Sequence, residues 1–136
     1  MNLWLRCQPR SIVVSEGREY WRSTIEVGSI QGAVGIDSPY KTMCGAIDEF
    51  IDVEYGEGVL EKAFAAETAT EEIEAEGHAY ICWLSKEGVV FEFQYGENGP
   101  EKGGEVTLGQ FKLAVQTYLQ FLRDPERKSI EVPFPE

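Results

Sequence analysis

Hydrophobic and polar residues alternate along Tyr20-Trp-Arg-Ser-Thr-Ile-Glu-Val27, with Trp21, Ile25 and Val27 on one side and Tyr20, Arg22, Thr24 and Glu26 on the other. Successive side chains of a strand point to opposite faces, so this period of two predicts a half-buried strand. Gly28-Ser29 suits a type II′ turn, whose first central position takes a positive φ. Ile30, Val34 and Ile36 would then carry the apolar face onto a return strand. A second hairpin is predicted downstream. His78-Ala-Tyr-Ile-Cys-Trp-Leu84 is apolar on both faces, as in a central strand covered on both sides. Lys86-Glu-Gly88 turns the chain, and Val89, Phe91, Phe93 and Tyr95 share one side of the following strand.

Two segments change period from two to 3.6. Phe111, Ala114, Val115, Tyr118, Leu119 and Leu122 form a helical stripe. Thr107-Leu-Gly-Gln110 in front of it fits a capping box, with Val106 and Phe111 as a hydrophobic staple, and Asp124-Pro125 ends the helix. Ser38-Pro39 reads as an N-cap and first-turn proline opening another helix through about Ile51. In that helix Met43, Ala46, Ile47, Phe50 and Ile51 would face inward and Asp48, Glu49 and Asp52 outward, before Tyr55-Gly-Glu-Gly58 closes it. From Val59 to Glu76 alanine and glutamate favour helix, at least in the first half, while Glu71-Glu-Ile-Glu-Ala-Glu76 also alternates like an edge strand. Residues 95–104 read as a loop and residues 126–136 as an extended tail. The expected product is a single α+β domain over residues 1–136: an antiparallel sheet built from two hairpins, with helices packed mainly on one face.

The length of 136 residues, with 43% hydrophobic and 12% aromatic content, fits one folded core. No apolar run approaches membrane-spanning length, and the N-terminus lacks the features of a secretion signal, so a cytoplasmic protein is expected. Cys7, Cys44 and Cys82 are scattered, which suggests reduced thiols packed as small hydrophobes and leaves one intramolecular pair open.

Charge alters the picture more. The net charge is −12, and between Ile47 and Glu76 eleven acids stand against one base, Lys62, for −10 in that window alone. Such a surface repels nucleic acid and anionic lipid and speeds encounter with a basic partner, although many acidic surfaces only solubilise.

Specific chemistries fit less well. The single histidine, His78, lacks neighbouring ligands at zinc spacing and reads as a strand-end residue. Neither Glu71–Glu76 nor Asp48–Glu57 reproduces a calcium loop. Residues 95–104 carry glycines but no lysine-hydroxyl pair for phosphate, and no nucleophile motif occurs. The expectation is a non-enzyme with no catalytic residue, metal ligand or cofactor. What remains is a partner-binding surface: Asp48, Glu49, Asp52, Glu54, Glu57, Glu71, Glu72, Glu74 and Glu76 for charge, with Tyr55 and Tyr95 as aromatic anchors. Alternatives from other classes are a small carboxylate-based enzyme or divalent-cation binder using the same acids, and a solubilising subunit of a larger assembly.

The segment HAYICWLSKEGVVFEFQYGENGPEKGGEVTLGQFKLAVQTYLQFLRDP, about a third of the chain, resembles bacterial immunity proteins of the polymorphic-toxin or contact-dependent growth-inhibition type. The resemblance lies in the strand pair followed by the "VTLGQFKLAVQTYLQFL" helix within a small acidic α+β protein. Such families share no catalytic residues, so none is carried over. The resemblance implies a non-enzymatic inhibitor that binds one cognate toxin domain, often a nuclease, and blocks its active site; the charge adds the expectation that this partner is basic and that the chain itself binds neither nucleic acid nor membrane.

Overall fold

A computed structural model describes residues 3–13, 15–29 and 40–135. The described chain is α+β, with seven strands in two antiparallel sheets and three helices. Strands β1 (Leu3–Val13), β2 (Glu19–Ser29) and β7 (Ile130–Phe134) form one sheet in the order β2-β1-β7. Strands β3 (Ile73–Glu76), β4 (Tyr80–Ser85), β5 (Gly88–Phe93) and β6 (Glu101–Val106) form the other, in sequence order. Helices α1 (Lys41–Asp48), α2 (Val53–Ala66) and α3 (Leu108–Arg123) join them. Helix α3 packs on β1 and β7 of one sheet and on β5 of the other, so both sheets share one core.

The first hairpin differs from expectation in its partner. β2 occupies the predicted strand, but it pairs with the N-terminal β1, and Gly28 and Ser29 continue the ladder opposite Trp4 and Leu3. Gly28 serves packing here: a Cβ on it would lie 2.3 Å from the Trp4 ring. The chain reverses instead near Ser15–Gly17, where Glu16 (φ 71°) and Gly17 (φ 72°) both adopt the left-handed conformation. The return strand expected at Ile30–Ile36, and the cap expected at Ser38-Pro39, lie outside the described residues.

Leu5, Cys7, Ile25 and Val27 form the buried face of this hairpin. Trp21 shares their side by alternation yet is 68% exposed, because the ladder with β7 stops at Cys7 and the hairpin runs past the core. The C-terminal tail is extended as expected, and it is also a strand: Phe134 is buried, and Gln110 donates to the Pro135 carbonyl at 2.7 Å.

The second hairpin forms, but its first strand opens at Tyr80 and not at His78, and it is fully covered on one face only. β4 lies inside its sheet with Cys82 and Leu84 fully inward, while Ile81 and Trp83 on the other face are half-buried. The segment read as a loop at 95–104 ends in strand β6, and Gly104 (φ 71°) comes so close to Thr42 that a Cβ there would lie 2.6 Å from it. The capping box of α3 is complete: Gln110 N–H donates to the Thr107 hydroxyl at 3.0 Å, and Thr107 N–H donates to the Gln110 side chain at 2.9 Å.

Between the sheets, α1 ends at Asp48, short of the expected Ile51. Phe50 and Ile51 therefore lie past the helix end, Phe50 buried and Ile51 83% exposed. Tyr55-Gly-Glu-Gly58 is not a helix end. It opens α2, capped by Asp52, whose carboxylate accepts from Tyr55 N–H at 2.8 Å. Gly56 allows α2 to approach α3, since a Cβ would sit 2.4 Å from Leu119. After Ala66 the alternation of Glu71–Glu76 prevails as the edge strand β3.

Candidate functional site

The acidic window divides into carboxylates with structural work and carboxylates turned to solvent. Asp48 belongs to the first group. Its Oδ2 meets Arg22 at 2.5 Å, its Oδ1 is buried without a hydrogen-bond partner among the described residues, and burial raises its pKa against the opposing pull of Arg22. Glu49 accepts from Ala79 N–H at 2.9 Å and Tyr80 N–H at 3.2 Å, tying the β3–β4 turn to the end of α1. Gly77 in that turn admits the carboxylate, for a Cβ there would lie 2.3 Å from Glu49 Oε1. Asp52 is the α2 cap, and Glu57 pairs with Arg123 at 2.9 Å. Four of the nine expected partner-binding acids thus already have partners inside the fold.

The other five, Glu54, Glu71, Glu72, Glu74 and Glu76, are exposed, and no ion pair involves them among the described residues. Glu54 sits in the first turn of α2, where a negative charge complements the helix dipole. Glu71 and Glu72 lead into β3. Glu74 and Glu76 point to the outer side of that strand, opposite Trp83 and Ile81 of β4.

Tyr55 and Tyr95 take different roles. Tyr55 is half-buried, stacks edge-on against Phe50 at 5.3 Å, and donates its hydroxyl to the Glu76 carbonyl at 2.6 Å. Burial and then the nearby acidic groups Cys82, Glu49 and Glu76 raise its pKa, so the hydroxyl remains a donor. It is a structural brace. Tyr95 is 65% exposed and ends a run of aromatic contacts: Tyr80 to Phe93 at 5.2 Å, Phe93 to Tyr95 at 6.1 Å, and Tyr95 to His78 at 6.5 Å. His78 is exposed in the β3–β4 turn, one residue beyond Gly77. The ring of Tyr95 is therefore a surface aromatic held between Phe93 and His78, the latter in the turn that follows β3. A rigid aromatic loses little entropy on contact and is a common interface anchor.

The sequence alone suggests no site role for Trp83 or Lys62. Alternation sets Ile81, Trp83 and Val90 on the outer face of the four-stranded sheet, in rows that begin with Glu76 and Glu74. Lys102 lies 5.1 Å above the Trp83 ring, whose Nε1 is buried without an acceptor among the described residues. The signal was present in the period of two, but an apolar face reads as core until its neighbours are known. Lys62, the one base of the window, donates to the Glu74 carbonyl at 3.1 Å.

Cys7, Cys44 and Cys82 are free and buried, and burial pushes each thiol up to about 12. Among the described residues no three of His, Cys, Asp or Glu gather as metal ligands, and no helix is long and apolar enough to cross a membrane. No protein-family model, curated protein or solved structure matches the chain.

Proposed function

We propose that the chain is a non-enzymatic binding protein of the immunity type, which neutralises a basic toxin domain by covering it with an acidic surface. The observation that supports this most is the placement of the five glutamates that no described base pairs: Glu71, Glu72, Glu74 and Glu76 lead into and along the edge strand β3, Glu54 stands on the same groove as Glu76, and the exposed ring of Tyr95 meets His78 in the turn that follows β3. Carboxylates on a surface accelerate encounter with a cation-rich partner, and a rigid aromatic among them supplies buried area once docking is complete. The half-buried Trp83, Ile81 and Val90 extend that surface across the sheet. A nuclease domain suits such a surface, since carboxylates can occupy positions where it holds phosphates.

Affinity capture from a lysate of the source organism tests this reading. The expected result is one stoichiometric basic protein, retained at low salt and released at high salt, whose toxic activity the purified chain suppresses. A captured partner that is acidic, or that keeps its full activity in the complex, contradicts it.

A further inference from the structure

β3 is an edge strand, and its unpaired side is closed by side chains of α2. The Glu74 carbonyl accepts from Lys62 Nζ at 3.1 Å and the Glu76 carbonyl from the Tyr55 hydroxyl at 2.6 Å. Both carbonyls therefore point away from β4, and in an antiparallel ladder the N–H of the same residue points the same way. Two residues apart, these groups have the spacing of a further strand's hydrogen bonds. Lys62 and Tyr55 supply the donors that such a strand would bring. Beside them lies an open groove between α2 and β3, with Gly58, Val59 and Ala75 along it and Glu54 and Glu76 at its margin.

We propose that this groove receives an extended, basic segment of the partner as a fifth strand beside β3, a proposal that rests on the basic-partner reading above. On entry its backbone N–H groups replace Tyr55 and Lys62 on the two carbonyls, and its carbonyls accept from the N–H groups of Glu74 and Glu76. The residues opposite Glu74 and Glu76 are then two apart and project to the same face as those carboxylates, so charge selects lysine or arginine at alternate positions. Intervening residues turn toward Val59 and Gly58. Addition of a strand to a sheet edge is an established mode of peptide recognition. Until it happens, the two α2 donors and the exposed glutamates protect the edge from indiscriminate pairing.

The test is an amide NMR titration of the full chain with a capped heptapeptide of alternating lysine and valine, at concentrations up to several millimolar. Glu74 and Glu76 amides should shift and gain protection from exchange. Methylating the backbone nitrogens of the lysines, which keeps their charge, should weaken binding at least tenfold, whereas methylating those of the valines should not. Lys62→Met and Tyr55→Phe, which remove the competing donors, should tighten it severalfold. Equal binding of the lysine-methylated peptide, or no binding at any concentration, overturns the strand addition while leaving a basic partner possible by other contacts. Equal binding of a threonine–valine peptide supports pairing at the edge and overturns the basic partner.

Discussion

Two glycines of α2 stand in opposite circumstances. A Cβ at Gly56 would lie 2.4 Å from Leu119 and 3.1 Å from Phe50, while nothing approaches within 4 Å of one at Gly58. Gly58→Ala should therefore stabilise the protein by about 0.5–1 kcal/mol, the usual gain of alanine over glycine inside a helix. Gly56→Ala gains the same propensity but overpacks the α2–α3 contact, which typically costs about 1–3 kcal/mol, so its net effect should be destabilising. Urea midpoints of the two variants check both signs. The cysteines make a second prediction at this scale. With thiols pushed up to about 12, iodoacetamide at pH 8 should modify the native protein on the order of a thousandfold more slowly than the unfolded chain, even before access is counted. The folded state binds these protons more tightly than the unfolded one. Stability is therefore fully present below the unfolded thiol pKa and should fall as pH rises from about 9 toward 12, by up to about 1.4 kcal/mol per thiol per pH unit. Denaturation midpoints that stay flat across that range contradict the assignment.

At the scale of elements, β7 shows how a tail becomes part of the core. Phe134 is 4% exposed and meets Tyr40 edge-on at 5.3 Å, so Phe134→Ala should cost about 3–5 kcal/mol in a thermal or urea melt, where a free tail would show no change. The sequence identified residues beyond Pro125 as extended but could not supply their partner, because strand pairing is settled between segments more than a hundred residues apart. The same limit explains the first hairpin: β2 was legible in its alternation, while in β1 Leu3, Leu5 and Cys7 alternate with Trp4, Arg6 and Gln8 only as far as Pro9, a pattern too short to name it as the partner of β2. Elements with local signals were read well. The capping box and stripe of α3 and the β4–β5 hairpin carry their own start, stop and period. Glycine misled wherever it marked close packing, as at Gly28 and Gly56. In the candidate site, the alternating glutamates of β3 and the exposed Tyr95 were legible. The internal partners of Asp48, Glu49 and Glu57 were not, since Arg22, the β3–β4 turn and Arg123 approach them only through the fold, whereas the local cap that Asp52 makes with Tyr55 is hidden by glycines that read as a helix end.

For the whole molecule, charge is arranged by sheet. On the outer face of the three-stranded sheet Arg6 meets Glu131 at 2.6 Å and Glu26 at 3.6 Å, and Arg10 meets Glu26 at 3.7 Å, so acids and bases largely offset one another. The edge of the four-stranded sheet gathers acids that no described base pairs. Reversing charge at Asp48 or Asp52 would disturb an ion pair or a helix cap, whereas Glu72, Glu74 and Glu76 project outward and can be changed with the fold intact. The most direct measurement is thus the association rate of the captured partner with the wild-type chain and with a Glu72→Lys, Glu74→Lys, Glu76→Lys variant across ionic strength, after thermal melts confirm that both are folded. An acidic docking surface centred on β3 predicts that the variant associates at least about tenfold more slowly at low salt, with the difference closing as salt rises. Equal association rates at every ionic strength would contradict it.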